Sequence, residues 1–88
     1  MPITNPKIKL AIVDDHKLFR RGIISLIEMY YNDIYTVTIE AENGEDLARK
    51  LEASGSPDIV IMDIEMPGRD GYQTVAWMQE SYPDIKTL

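Results

Sequence analysis

Two short stretches of the chain are almost entirely apolar. Ile8–Val13 contains one polar residue, Lys9, and Ile59–Met62 contains none. A parallel strand that is covered on both faces needs such a continuous apolar run. The pattern therefore predicts buried strands over 8–13 and 58–62, and an aspartate follows each of them.

Two further segments have strand character. Residues 35–41 alternate in polarity and are rich in β-branched side chains, with Val37, Thr38 and Ile39 in succession. This composition favours a strand. Residues 86–88 look like the first residues of a fourth strand.

Apolar residues at helical spacing predict three helices between these strands. The first is predicted over 16–31, and the second follows the Asn43-Gly44 turn and ends at the breaker segment 54–57. The third is predicted over 72–82 and is closed by a proline. In the first helix the predicted apolar stripe consists of Phe19, Ile23, Leu26, Ile27 and Tyr30, and the residues mostly off the stripe are Lys17, Arg20, Arg21 and Glu28.

The predicted elements follow one another as β-α-β-α-β-α-β, which indicates an α/β protein with a parallel sheet and helices on both faces. In the doubly wound, flavodoxin-like arrangement, strands one and three are neighbours, and ligands bind beyond the carboxyl ends of the strands where the strand order reverses. We expect an incomplete sheet of this kind, with βαβαβα and the start of strand four.

Acidic residues follow both buried strands: Asp14 and Asp15 follow strand one, and Asp63 follows strand three. These carboxylates should meet at one edge of the sheet, where their mutual repulsion calls for a compensating charge. Mg²⁺ prefers oxygen ligands, whereas Zn²⁺ would favour His or Cys, and His16 is the only histidine. Either acidic segment alone could simply form a turn or an N-cap. Their joint placement favours a Mg²⁺ site, at which an aspartate can attack phosphorus and form an aspartyl phosphate.

Composition narrows the function further. The formal net charge is −6, which argues against nucleic-acid binding by this segment. The chain has no cysteine, so disulfide and thiol chemistry are excluded and a cytoplasmic protein is expected. No apolar run is long enough to cross a membrane.

Four segments, in the right order, resemble the receiver domains of two-component response regulators, especially the LuxR/FixJ type. They are LAIVDDHKLFRRG (10–22), AENGEDL (41–47), PDIVIMDIEMPGRDG (57–71) and PDIKTL (83–88). The resemblance implies a domain that accepts a phosphoryl group from a sensor histidine kinase, in a protein that regulates transcription.

The resemblance also implies roles for individual residues. Asp63 matches the phosphoacceptor, and Asp14 and Asp15 match the acidic pair that holds Mg²⁺, with Asp15 the more direct ligand. Glu65 would supply its backbone carbonyl as a further ligand, and its side chain lies where the family tunes access of the hydrolysing water. Pro67, together with Gly71, matches the loop that shapes the pocket.

His16 is expected to have a surface or helix-start role and is not expected to be a kinase-type histidine. The family has a Thr or Ser at the end of strand four and a Lys at the end of strand five, and neither has a counterpart in this sequence. Thr87 lies too early in strand four to be that residue. We therefore expect residues 1–88 to be the N-terminal part of a single receiver domain without its effector domain, with an exposed sheet edge through which two copies could pair.

Two alternatives stay open beside the phosphorylated receiver. One is a Mg²⁺-dependent aspartyl phosphatase, although the chain lacks the D-x-D-x-T arrangement of haloacid-dehalogenase-type enzymes and has only Glu65 as a candidate base near Asp63. The other is a protein-binding fragment that is not competent for phosphorylation.

Overall fold

The computed structural model describes residues 6–63 and 71–88, with the backbone alone for 71 and 72. Strands and helices alternate along the whole of this part of the chain. They are β1 (Ile8–Val13), α1 (Lys17–Tyr30), β2 (Tyr35–Ala41), α2 (Gly44–Ser54), β3 (Ile59–Met62), α3 (Gly71–Ser81) and β4 (Lys86–Thr87).

The four strands form one parallel sheet in the order β2-β1-β3-β4. β1 and β3 are therefore neighbours, and Val13 on β1 pairs with Met62 on β3. The expected flavodoxin-like order is confirmed. The ends of these two strands lie side by side at the carboxyl edge of the sheet.

Helices cover the sheet from two sides, and the alternation of side chains along each strand divides the core accordingly. On one face, Leu10 and Ile12 pack with Ile24 of α1. On the other face, Ala11 and Val13 belong to a larger cluster with α2 and α3. The members of that larger cluster are Ala11, Val13, Ile39, Ala41, Leu47, Leu51, Val60, Met62 and Met78.

Local sequence explains where α2 begins and ends. The side chain of Asn43 accepts a hydrogen bond from the backbone N–H of Asp46 at 2.8 Å, so it caps the first turn. Gly55 follows the helix at φ 82°, a conformation that residues with a Cβ rarely adopt. These two residues set the length of α2 within the predicted segment.

The predicted apolar stripe of α1 is right at Ile23 and Ile27, which pack against the cluster of Leu10, Ile12 and Ile24, but its other members do not lie on the buried face. The buried residues of α1 are Arg20 and Ile24, whereas Phe19 is 62% exposed. Leu26 and Tyr30, also assigned to the stripe, are more than half exposed. The periodicity located the helix correctly but placed its buried face about one residue too early.

Several predicted boundaries also shift. His16 and Tyr31 cap α1 instead of lying within it, β3 begins one residue after the predicted start at Asp58, and α3 runs from Gly71 to Ser81. β3 is not buried on both faces, because Ile59 and Ile61 are only half-buried. Within residues 6–63 and 71–88, no helix is both long enough and apolar enough to cross a lipid bilayer.

Candidate metal centre

Three aspartates meet at the carboxyl edge of the sheet. Asp14 and Asp15 follow β1, and Asp63 follows β3. One side-chain ligand atom from each of these residues, together with one from His16, lies within 4.8 Å of all the others. The structure therefore brings together the three carboxylates that the sequence placed at one edge.

Backbone hydrogen bonds to neighbouring strands hold two of these aspartates in place. The N–H of Asp14 donates to the carbonyl of Ala41 at the end of β2 at 3.1 Å, and the N–H of Asp63 donates to the carbonyl of Val13 at 3.0 Å. The sheet ladder thus continues to the point where the carboxylates begin. This limits how far the two residues can move apart.

The carboxylates differ in their burial and in their partners. Asp14 is buried, while Asp15 and Asp63 are partly exposed. Oδ1 of Asp15 is fully buried and lies 3.0 Å from Nδ1 of His16, but without the alignment of a hydrogen bond. Leaving a buried acceptor without a hydrogen bond costs about 1–3 kcal/mol. A cation placed among these oxygens would satisfy it.

His16 reaches into the acidic cluster from the start of α1. Its backbone N–H donates to Oδ1 of Asp14 at 2.8 Å, and its ring Nδ1 lies 3.1 Å from the same oxygen. The hydrogen bond to Asp14 and the negative charge of Asp15 raise the pKa of His16. The expected helix-start position is confirmed, whereas the contact of His16 with the carboxylates was not predicted from the sequence. The sequence signal that could have indicated this contact is that His16 directly follows Asp14 and Asp15 in the chain.

The donor set fits Mg²⁺. Carboxylate oxygens dominate the cluster, and Mg²⁺ takes one or two carboxylates directly while keeping waters and bridging to phosphate. The single imidazole is 70% exposed. Asp14, Asp15 and Asp63 would hold the ion.

A network of charged side chains lies directly behind the aspartates. Arg20 donates from Nη1 to the backbone carbonyl of Asp14 at 2.5 Å and from Nε to Oε1 of Glu40 at 2.8 Å. The hydrogen bond from Arg20 to Glu40 holds the pKa of Glu40 below its usual range, and a hydrogen bond from Arg21 lowers it further. Sequence reasoning missed Arg20, because its position in α1 was assigned to the polar side.

The same charged region extends to α2. Burial raises the pKa of Asp46, but the backbone N–H of Glu42 and the cations of Lys50 and Arg49 lower it by more, so the net shift is downward. Two other predicted site residues, Glu65 and Pro67, lie outside the described residues. Gly71 is the first residue of α3.

The sequence profile described as "Response regulator receiver domain" matches residues 10–88. This chain belongs to the response regulator receiver family. Relatives such as DegU and GacA are LuxR/FixJ-type response regulators, so the resemblance seen in the sequence is confirmed.

Two curated relatives show how much of a protein this receiver segment covers. The "Transcriptional regulatory protein DegU" of Brevibacillus brevis is 34% identical over 86 residues, which are 98% of this chain and 35% of the relative. The "Response regulator GacA" of Pseudomonas syringae pv. syringae is 38% identical over 81 residues, which are 92% of this chain and 36% of the relative. The chain thus spans about a third of the length of these relatives.

A solved structure supports the receiver fold. The non-phosphorylated receiver domain of the stress response regulator RcsB from Escherichia coli superposes with a TM-score of 0.81 at 24% identity, covering 93% of this chain and 63% of that one. At this identity the likeness concerns the fold alone. Receiver domains generally bind Mg²⁺ at an acidic cluster, and this receiver has a group of residues that could hold a metal.

Proposed function

We propose that this receiver accepts a phosphoryl group on Asp63 from a sensor histidine kinase, with Mg²⁺ held by Asp14, Asp15 and Asp63. The observation that carries the proposal is the convergence of these three carboxylates within 4.8 Å at the ends of two adjacent parallel strands. The backbone carbonyl of Glu65, outside the described residues, completes the proposed ligand set.

In the proposed reaction, a carboxylate oxygen of Asp63 attacks the phosphorus atom of the kinase's phosphohistidine. The new O–P bond forms as the N–P bond breaks, and the electron pair of that bond stays on the histidine nitrogen. The partly exposed position of Asp63 leaves it within reach of such a donor. Mg²⁺ held by the aspartates would neutralise charge on the transferring oxygens, and the protein contributes mainly by positioning the reacting groups.

The setting of this reaction is proposed from the relatives. The names of the DegU and GacA relatives describe regulators, one of them transcriptional. We propose that residues 1–88 form part of one receiver domain in a cytoplasmic transcriptional regulator, and that this segment itself does not bind nucleic acid. Its negative charge supports that division, since a DNA-binding surface needs an excess of Lys and Arg.

The decisive experiment is capture of a phosphoryl group, or of beryllofluoride as its mimic, in the presence of Mg²⁺. Asp63→Asn should abolish capture from a small phosphodonor, detected by intact-protein mass spectrometry. Asp58→Asn is the matched control, because Asp58 lies at the opposite end of β3, where its side chain accepts a hydrogen bond from the N–H of Lys9. The Asp58→Asn variant should retain capture. The unmodified chain should capture the phosphoryl group only when Mg²⁺ is present.

The same experiment separates the alternatives. Continuous release of phosphate from a phosphorylated small molecule would support a phosphatase. A folded chain that captures nothing would support a protein-binding module without phosphorylation. Capture that survives Asp63→Asn would show that the phosphoacceptor is wrongly assigned.

We also propose that the 88-residue chain pairs with a second copy through the edge of its sheet. β4 is the last strand in the sheet order. A largely apolar cavity of about 370 Å³ lies beside it, and its lining includes Ile59, Ile61 and Leu88. Exposed strand edges next to apolar surface promote pairing between chains. Sedimentation equilibrium should show a dimer, and a monomer at all protein concentrations would contradict this.

A further inference from the structure

Arg20 is a buried cation next to the acidic cluster. Its residue surface is 8% exposed, whereas the side chain of the adjacent Arg21 is 57% exposed. Arginine does not lose its proton in proteins, so a buried guanidinium needs compensating partners. Glu40 supplies the opposite charge and the backbone carbonyl of Asp14 supplies a neutral acceptor.

Stability by itself is a weak explanation for this arrangement. Replacing a buried ion pair with well-packed apolar side chains is often neutral or stabilising. The direction of the two hydrogen bonds is more informative than their number, because one of them ends on the backbone of a proposed metal ligand. Arg20 connects that backbone to β2 through Glu40.

The hydrogen bond from Arg20 to Asp14 restricts the peptide group that sets the relative orientation of two carboxylates. The carbonyl that accepts from Arg20 belongs to the peptide that joins Asp14 to Asp15. On its other side, the N–H of Asp14 is held by Ala41. With both hydrogen bonds in place, the peptide between the two carboxylates cannot rotate freely, so their relative orientation is restricted.

Glu40 is itself held firmly. Its Oε1 accepts from Arg20 and its Oε2 from Arg21, at 2.8 and 2.7 Å. Its backbone carbonyl accepts from Nζ of Lys50 at 2.5 Å, and the residue pairs with Ile12 on β1. Glu40 is therefore a fixed anchor for the guanidinium of Arg20.

We propose that Arg20 is a positioning residue that holds the Asp14–Asp15 peptide in the orientation needed for Mg²⁺, and that Glu40 orients Arg20 for this task. The proposal rests on the proposed function of the acidic cluster. It predicts that removal of Arg20 changes the Mg²⁺ affinity in the opposite direction from the one that charge repulsion alone predicts. A nearby positive charge repels Mg²⁺, so if charge alone mattered, removal of Arg20 would strengthen binding. If positioning dominates, its removal weakens binding.

The test measures the Mg²⁺ affinity of the full chain by isothermal titration calorimetry. Arg20→Gln should weaken binding by about 10-fold or more, the usual size of the effect when a group that orients a metal ligand is lost. Arg49→Gln is the matched control, because it also removes one guanidinium, but the hydrogen bond of Arg49 goes to Asp46 on α2 and not to Glu40 or Asp14. It should bind Mg²⁺ like the unaltered chain. Arg20→Lys, which keeps the charge and a donor, should recover part of the lost affinity.

The folding of each variant is measured separately from its Mg²⁺ binding. Urea unfolding in EDTA reports whether each variant is folded, and the backbone amide resonances of Asp15 and His16 report whether the peptide has moved. If Arg20→Gln does not fold, Glu40→Gln decides the question, since it leaves Arg20 in place without its charged anchor. It should also weaken Mg²⁺ binding.

The two proposals fail in different ways. If the unaltered chain binds no Mg²⁺, or binds it equally well after Asp63→Asn and Asp15→Asn, the proposed function fails. If the unaltered chain binds Mg²⁺ but a folded Arg20→Gln variant binds it equally well or more tightly, only the positioning role of Arg20 is overturned.

Discussion

A close approach between α2 and α3 gives a sharp prediction about the stability of this fold. Gly44 opens α2, and a Cβ built on it would overlap Oγ1 of Thr74 in α3 and lie 3.0 Å from Cγ2 of the same residue. Real Cβ contacts essentially never fall below 3.0 Å. Thr74 is fully buried, so it cannot swing into solvent to relieve the overlap. Gly44→Ala therefore forces α3 away from α2.

The size of the effect follows from two opposing contributions. Overpacking a well-packed site costs about 1–3 kcal/mol. Replacing glycine with alanine returns about 0.4–1 kcal/mol by restricting the unfolded chain, since Gly44 is not at positive φ. The middle of these two ranges gives a net loss of about 1.3 kcal/mol. In a domain of this size that corresponds to a melting temperature lower by roughly 5–10 °C.

A double-mutant cycle isolates the contact. Thr74→Ala removes the two closest atoms and leaves only Cβ, at 3.1 Å. Gly44→Ala should then be neutral or stabilising in the Thr74→Ala background, with a coupling energy of about 1–3 kcal/mol. The assay is urea unfolding in EDTA followed by the fluorescence of Trp77, the only tryptophan, which packs against the larger core cluster.

Gly22→Ala is the internal control. This glycine lies inside α1, and apart from its chain neighbours and the backbone of its own helix no described residue lies within 4 Å of the position its Cβ would take. The substitution should stabilise the chain by about 0.5–1 kcal/mol. If Gly44→Ala costs the same with threonine or alanine at position 74, or if it behaves like the control, then the close approach of α2 and α3 is not real.

Three other outcomes follow from the described contacts. Asn43→Ala removes the cap of α2 and should cost about 1 kcal/mol in urea unfolding, whereas no loss would show that the cap is dispensable. Met78→Ala empties a fully buried position and should cost about 2–5 kcal/mol; a smaller loss would mean that the larger cluster collapses around the gap. The pKa values of Glu40 and Asp46 are lowered on folding, so their contribution to stability is present above their ordinary values of 4.5 and 3.8 and is lost as the pH falls through the lower, folded values. Urea unfolding measured across this acidic range should show the loss, and a flat profile would contradict the ion pairs.

Much of the fold could be predicted from the sequence, because the pattern of apolar residues in a strand indicates whether one or both of its faces are buried. The continuous apolar run of β1 requires cover on both faces, and its residues pack into two clusters on opposite sides of the sheet. The β3 run was a weaker guide. It is long enough to identify the strand but does not show which neighbours cover each face, and one of its faces is only half-buried.

The acidic cluster was predictable for a topological reason. Once β1 and β3 are parallel neighbours, the residues that follow them must lie side by side, so Asp14, Asp15 and Asp63 converge whatever the details of packing. Glu65 was predicted from family resemblance alone. It lies outside the described residues, so its assignment as a ligand stays a prediction.

Only the tertiary structure decided which face of α1 is buried and what supports the aspartates. Periodicity identifies a helix but tolerates a rotation of one residue, and that rotation decides whether Phe19 or Arg20 faces the protein interior. Helical spacing had placed Arg20 off the predicted apolar stripe. Its burial depends on Glu40, twenty residues away in the chain, and on the carbonyl of Asp14. Such partners come together only when the strands pair, so they cannot be predicted from a local sequence pattern.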